Sequence, residues 1–356
     1  MSDAVLLQDG DVLVRQLGAL RRLTLNRPNA LNALTRGMAE TMTRWLRAWA
    51  NDDAVGAVLI DGAGERGLCA GGDLRALYDA AKSNDPLPQH FWATEYRLDV
   101  LIARYRKPVI VVMDGLTMGG GVGISAHAAH RVVTERSAIA MPEVGIGYFP
   151  DVGASFLLAR TPGRVGTHLA LTGERIGAAD AIYCGLADVH IAAAKLAELP
   201  ARLGGCRNTS EARSRLVDLS TPAAPGGLAA ARQWIDPCYE AGTVEEIVAR
   251  LRNNQNEDAR AAAATLQKMS PTALKITLRN IRSALSFAEI EQSFQQDYRI
   301  SLACIAEHDF IEGIRAAIVD KDRKPAWRPD SIERVTPEIV ERHFQPLGSL
   351  ELTFPD

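Results

Sequence analysis

Apolar residues run unbroken through Val109-Ile110-Val111-Val112, which predicts a strand buried on both faces. Residues 57–61 (AVLID) predict a second. Upstream, residues 11–16 (DVLVRQ) alternate weakly, Leu17-Gly18 turns the chain, and residues 19–25 return, which is the pattern of a hairpin. Met38, Met42, Trp45, Leu46 and Trp49 recur at helical spacing behind a plausible N-cap, Thr35. They read as core. Helices are further expected over 73–82 and 89–106, separated by the breaker SNDPLP, and over 164–181 with a turn at Gly173. A short strand is expected over 183–191.

After Pro200 the composition shifts, and the Pro/Gly-rich run 220–227 (STPAAPGG) reads as a linker. Helices follow over 244–253, 258–268, from Ser270-Pro271 onward, and over 287–307. Lys275, Arg279 and Arg282 fall at about one-turn spacing, the pattern of a solvated basic face. Strand–helix alternation gives an α/β class with a helical C-terminal region. The expected division is 1–200 as catalytic core and 201–356 as a mainly helical region packing on it.

Two glycine-rich turns punctuate this pattern. Gly67-Leu68-Cys69-Ala70-Gly71-Gly72 lies between the 57–61 strand and a helix that Asp73 would cap, and Gly119-Gly120-Gly121 opens a small-residue helix after the 109–112 strand. Backbone N–H groups in such turns can donate to a ligand oxygen, and glycine admits close approach. Two of them around one oxygen make an oxyanion hole. Two acids follow in apolar surroundings, Glu143 after Pro142 and Asp151 after Pro150. A carboxylate pair there suits proton management. Taken singly, each feature is more often structural: a glycine triplet packs helices, and a Pro-Glu pair starts one. Their order and combination raise the chemical reading. Glu95 reads by pattern as a surface acid, and Arg104, Arg106 and Lys107 as partners of a helix C-terminus. His127 and His130 lack a third ligand at sensible spacing and read as structural, with no metal site.

Composition narrows the class. A chain of 356 residues with 47% hydrophobic content can bury a large core. Its net charge of −3 gives no reason to invoke nucleic acid, and no apolar run is long enough to span a membrane. The five cysteines, an odd count without paired spacing, fit a reducing compartment. Met1-Ser2-Asp3-Ala4 lacks the character of a targeting peptide, so a cytoplasmic protein is expected.

The run C-A-G-G-D-L, then M-G-G-G-V-G, then M-P-E-x-x-I-G-x-F-P-D-V-G resembles the crotonase superfamily, also called enoyl-CoA hydratase/isomerase. Within it, F-P-D-V-G is most similar to the 3-hydroxyisobutyryl-CoA hydrolase branch. The likeness is dense over the N-terminal two-thirds and extends to residues 318–322 and Trp327-Arg328-Pro329. It implies a spiral of ββα units, an acyl-CoA substrate, no separate cofactor, and hydrolysis of a thioester in valine breakdown. It assigns the oxyanion hole to the backbone of Gly72 and Gly120 and the catalytic carboxylate to Glu143. It gives Asp151 the acyl 3-hydroxyl or a share of the proton work. It also makes Glu95 a substrate contact and puts Arg27, in N-R-P-N-A-L-N-A-L, near the CoA entrance. Members often assemble, so a homo-oligomer is expected. Two alternatives stay open. A hydratase would carry the first of its two glutamates where this chain has Gly123, and many hydratases have glycine where it has Asp151. A non-catalytic CoA-binding protein would have no need of both acids and both glycine turns.

Overall fold

The computed structural model describes residues 5–354; the Met1–Ala4 segment, read for targeting character, lies outside the described residues. Among the described residues ten strands are formed: β1 Val5–Asp9, β2 Val12–Leu17, β3 Leu20–Leu25, β4 Ala57–Gly62, β5 Gly67–Cys69, β6 Val109–Met113, β7 Leu116–Met118, β8 His130–Val133, β9 Ala138–Ala140 and β10 Val189–His190. Seven make one sheet in the order β1-β2-β3-β4-β6-β8-β10, and β5, β7 and β9 make a second. The first three strands pair antiparallel, and the rest of the large sheet is parallel.

The order contains the expected repeat. β4-β5, β6-β7 and β8-β9 each send their first strand to the large sheet and their second to the small one. Each pair then runs into a helical turn, at Leu74–Ser83, Gly120–Ala126 and Glu143–Ile146. The fold is therefore mixed α/β with strand–strand–helix units, followed by a helical C-terminal region. β7 and β9 escape sequence reading because three residues are too few to show a period.

The chain divides into two compact units, each assembled from separated stretches. The first comprises 1–72, 94–139 and 176–226; the second comprises 73–93, 140–175 and 227–356. The last crossing, after Gly226, falls inside the run read as a linker.

In the first unit, Leu20, Leu59, Ile110, Val112 and Val132 on the large sheet are buried with Leu199, Leu203, Leu216 and Leu219 from two following helices. The 109–113 strand is buried at every position, as its unbroken apolar run requires. Helix Arg36–Ala50 is capped by Thr35, whose side chain accepts from the Met38 N–H. Its other end is capped by Lys107, whose ammonium donates to the carbonyls of Trp49 and Asp52 at 2.7 Å each. Lys107 thus serves the C-terminus of a distant helix rather than its own. The strand expected over 183–191 is corrected. Helix Ala178–Tyr183 runs into a turn at Gly185 (φ 71°), and only Val189–His190 pairs, with β8.

In the second unit, helix Pro271–Ala284 starts at Ser270, whose hydroxyl accepts from Ala273. Lys275, Arg279 and Arg282 are not a free solvated face. Lys275 pairs with Glu245 at 2.6 Å and donates to the Val335 carbonyl, Arg279 pairs with Glu341, and Arg282 donates to the carbonyls of Ala241 and Gly242. The C-terminal motif residues are also knitted in. Arg315 bonds Glu312, Asp320 and Asp322, while Asp309 accepts from Ser270 Oγ (2.6 Å) and from the Arg328 N–H (2.8 Å). Among the described residues no helix is long and apolar enough to cross a membrane.

Candidate active site

Three of the singled-out positions hold one place in the repeat. Gly72 follows β5, Gly120 follows β7 and Glu143 follows β9, each within three residues of the strand end. Loops after strands are where a sheet scaffold presents chemistry.

In the first unit the two glycine turns lie side by side. A Cβ added to Gly120 would sit 3.6 Å from Gly72 N, and one added to Gly71 would sit 3.9 Å from Gly120 N. Gly71 has φ +104° and Gly119 has φ 49°, conformations that side chains resist and that turn the backbone here. Leu34 N–H donates to Gly71 O at 2.8 Å and fixes the first turn. Glu95, expected by pattern on the surface, is only 2% exposed, and the same hypothetical Cβ on Gly120 would meet its Oε1 at 2.2 Å. Gly72, Gly120 and Glu95 are thus brought together, with the Gly72 nitrogen and the Glu95 carboxylate both against the face of Gly120 that carries no side chain. Cys69 beside them is no nucleophile, since burial pushes its thiol up to about 12.

Arg27 holds its own loop. Its guanidinium donates to the Ala33 carbonyl at 2.7 Å and lies 3.5 Å from Asp11, and its N–H donates to Asn32. His130 sits in β8 with Nε2 3.2 Å from the Thr209 carbonyl, and burial lowers its pKa. That is a core histidine's role. His127 is the C-cap residue of the Gly120–Ala126 helix.

In the second unit Glu143 opens a tight turn after Pro142, ended by Gly147 at φ 70°. Glu143 is buried, and its Oε2 has no hydrogen-bond partner among the described residues. Burial, and then the negative charge of Asp151, hold its carboxyl well above the usual glutamate range. Asp151 is buried as well, and Tyr148 donates its hydroxyl to Asp151 Oδ2 at 3.2 Å. Glu143 and Asp151 are thus two buried carboxylates of one unit, and the charge of Asp151 is felt at Glu143. Tyr148, which bonds Asp151, stacks on both Trp92 and Phe310, at centroid distances of 5.8 Å and 4.5 Å. A buried acid with an unsatisfied oxygen, as Glu143 is, is costly to fold and marks a candidate chemical site.

The sequence profile of the family described as Enoyl-CoA hydratase/isomerase matches residues 20–344. This chain belongs to that family. The crotonase family is one of acyl-CoA enzymes, and the match spans stretches of both units. The chain is 38% identical over 351 residues to the mitochondrial 3-hydroxyisobutyryl-CoA hydrolase of Gallus gallus, covering 96% of this chain and 90% of that one. Among solved structures it is similar to a carnitinyl-CoA dehydratase from Mycobacterium thermoresistibile, with TM-score 0.91, 46% identity and coverage of 97% of this chain and 98% of that one. An enoyl-CoA hydratase from Rhodobacter sphaeroides 2.4.1 matches with TM-score 0.89, 43% identity and coverage of 97% and 100%.

These crotonase relatives carry different activities in their names, so the residues must decide. Gly123, where a hydratase would place the first of its two glutamates, is a buried glycine inside the Gly120–Ala126 helix. Two positions that sequence reading passed over also matter. Tyr148 lies three residues before Asp151, and Asp297 lies on the buried face of helix Ile290–Ala306 with Phe294, Tyr298 and Ser301. An acid on an otherwise buried stripe was the available signal.

Proposed function

We propose that this chain is a thioester hydrolase that releases CoA from 3-hydroxyacyl-CoA thioesters, with 3-hydroxyisobutyryl-CoA of valine breakdown as its substrate. The carrying observation is that Glu143 and Asp151 are both buried carboxylates of one unit, together with the absence of a carboxylate at Gly123. Water addition to a double bond conventionally uses two acids around one water; hydrolysis needs one base or nucleophile and an oxyanion hole.

In this reading Gly72 and Gly120 donate their N–H groups to the thioester oxygen as negative charge develops there. Ionised Glu143 takes the proton of an attacking water, or attacks the carbonyl carbon itself to give a mixed anhydride that water then opens. Either route breaks the C–S bond, and the CoA sulfur leaves as thiolate and collects a proton. A carboxyl whose pKa is raised by burial is a stronger base once ionised, which suits it to neutral pH. Asp151 accepts the acyl 3-hydroxyl, and Glu95 lines the acyl end beside Gly120. The name of the Gallus gallus relative supports the substrate. A cytoplasmic location and assembly of like copies belong to the same reading, and sedimentation that finds a concentration-independent monomer removes the second.

Thiol release from 3-hydroxyisobutyryl-CoA, followed with a thiol-reactive dye and no added metal or nicotinamide, is the test. Hydration of crotonyl-CoA without any thiol release from the hydroxyacyl thioester overturns the assignment.

A further inference from the structure

Asp151 leads into a backbone that ordinary residues avoid. Val152 has φ 53° and Gly153 has φ 71°, two successive left-handed residues, one of them β-branched. A β-branched residue there is a true outlier and persists only when its surroundings hold it. Here a buried carboxylate holds it. Gly153 donates its N–H to Asp297 Oδ2 at 2.8 Å, and Asn280 Nδ2 donates to Asp297 Oδ1 at 3.0 Å. Gln296 in turn donates to Asn280 Oδ1 at 2.5 Å. A second strand of bonds runs to the carboxylate itself. Tyr148 OH lies 3.2 Å from Asp151 Oδ2 and 2.6 Å from Ser301 Oγ, and Ser301 Oγ donates to the Asp297 carbonyl at 2.7 Å. Tyr148, Asp151, Asp297 and Ser301 are all buried.

We propose that Asp297, Ser301 and Tyr148 are positioning residues that fix the Asp151 carboxylate for recognition of the acyl hydroxyl. Asp297 tethers the strained backbone, and the Tyr148–Ser301 hydroxyl pair aims the side chain. The inference rests on the proposed role of Asp151 and adds the device that makes that role specific. Hydroxyls suit the task better than a cation would. With Asp151 ionised, Tyr148 donates to it and Ser301 donates to Tyr148 or to the Asp297 carbonyl. With Asp151 protonated, its hydroxyl donates to Tyr148 and Tyr148 donates to Ser301, while Ser301 still donates to the Asp297 carbonyl, so no polar atom is orphaned. Asp297 keeps its place between two N–H donors even though burial, with Asp151 adding to it, pushes its carboxyl well above the usual range.

The test compares kcat/KM for 3-hydroxyisobutyryl-CoA with kcat/KM for isobutyryl-CoA, which lacks the hydroxyl. In Tyr148→Phe and Ser301→Ala the ratio is expected to fall about five- to thirtyfold, the effect of one misplaced buried hydrogen bond. Most of the loss should lie on the hydroxylated substrate. Asp297→Asn should retain most of the ratio, because the amide oxygen can still accept from Gly153 while Asn280 and Gln296 turn their amides to match. Asp297→Ala should lose the ratio and also speed hydrogen exchange of the Gly153 amide. Should Asp297→Ala fail to fold, Tyr148→Phe and Ser301→Ala still decide the matter. An active wild type whose ratio is unmoved in both of those variants, or Gly153 exchange unchanged in a folded Asp297→Ala, overturns the clamp alone. A wild type that releases no thiol from either thioester overturns the hydrolase reading and, with it, the hydroxyl role, while the exchange measurement still reports whether the tether exists.

Discussion

Replacing Gly120 by alanine tests the proposed oxyanion hole where it is most exposed to failure. The added Cβ would lie 2.2 Å from Glu95 Oε1 and 3.6 Å from Gly72 N, so it meets a carboxylate it must displace and enters the space beside one main-chain donor. Gly120 has no left-handed φ to forbid alanine, so the cost comes from occupation, not backbone strain. Displacing a buried side chain by one methyl costs roughly 1–3 kcal/mol of stability, about 1–4 °C in Tm for a chain of this size. The catalytic cost should be larger. A thioester oxygen kept from one of two donors loses roughly 100- to 1,000-fold in kcat, equivalent to about 2.7–4 kcal/mol. KM should change much less, because the lost interaction strengthens only as the carbon turns tetrahedral. Thiol release under saturating substrate gives kcat, and a thermal melt gives Tm. Gly37→Ala is the matched control: its Cβ would find only Thr35 Oγ1, at 3.9 Å, on an exposed helix turn. It should gain about 0.5–1 kcal/mol of stability with kcat unchanged. A Gly120→Ala enzyme retaining more than a tenth of wild-type kcat would refute the assignment of this backbone as the oxyanion site.

Glu143→Gln should lower kcat by roughly 100- to 10,000-fold, the usual weight of a general base, with little change in substrate affinity. It should also make stability less dependent on pH. Glu143 has a folded pKa raised above the ordinary 4.5, so its contribution to stability is full below that value and is lost as pH rises through the raised one. Denaturant melts of both proteins across that window check the sign, and parallel slopes would remove it. In the proposed mechanism Glu143 acts ionised, so kcat/KM should rise with pH along a limb lying above the ordinary glutamate range, and Asp151→Asn, which removes the neighbouring negative charge, should move that limb to lower pH. Asp151→Asn should also keep part of the activity and lose least on a substrate without the hydroxyl; equal losses on both substrates would place Asp151 in the proton chemistry instead. Lys107→Ala should cost about 1–2 kcal/mol, since it strips two charge-assisted bonds from a helix end, while activity per folded molecule stays level; a selective fall in kcat would show a link to the site.

Short-range signals determined much of this protein. The unbroken apolar run 109–112 could only be a strand covered on both faces, and it is buried throughout. Thr35, Asp73 and Ser270 cap the helices they precede, because a side-chain oxygen beside orphan N–H groups is a local matter. The glycine runs at 71–72 and 119–121 were legible as special turns by their order and combination, though not singly; Gly71 and Gly119 take positive φ, and at Gly120 a side chain would strike Glu95. The three-residue strands β7 and β9 were illegible because they carry no period, and only pairing in the small sheet defines them. Burial of Glu95 was equally hidden, for a single acid on a helix reads as exposed until its neighbours are known. The same holds for the basic face at Lys275, Arg279 and Arg282, whose partners lie up to 62 residues away. Asp297 is the extreme case: it is 144 residues from the Gly153 amide it holds. No local pattern encodes that bond, because the free energy that keeps a carboxyl out of water is supplied by groups that only folding assembles.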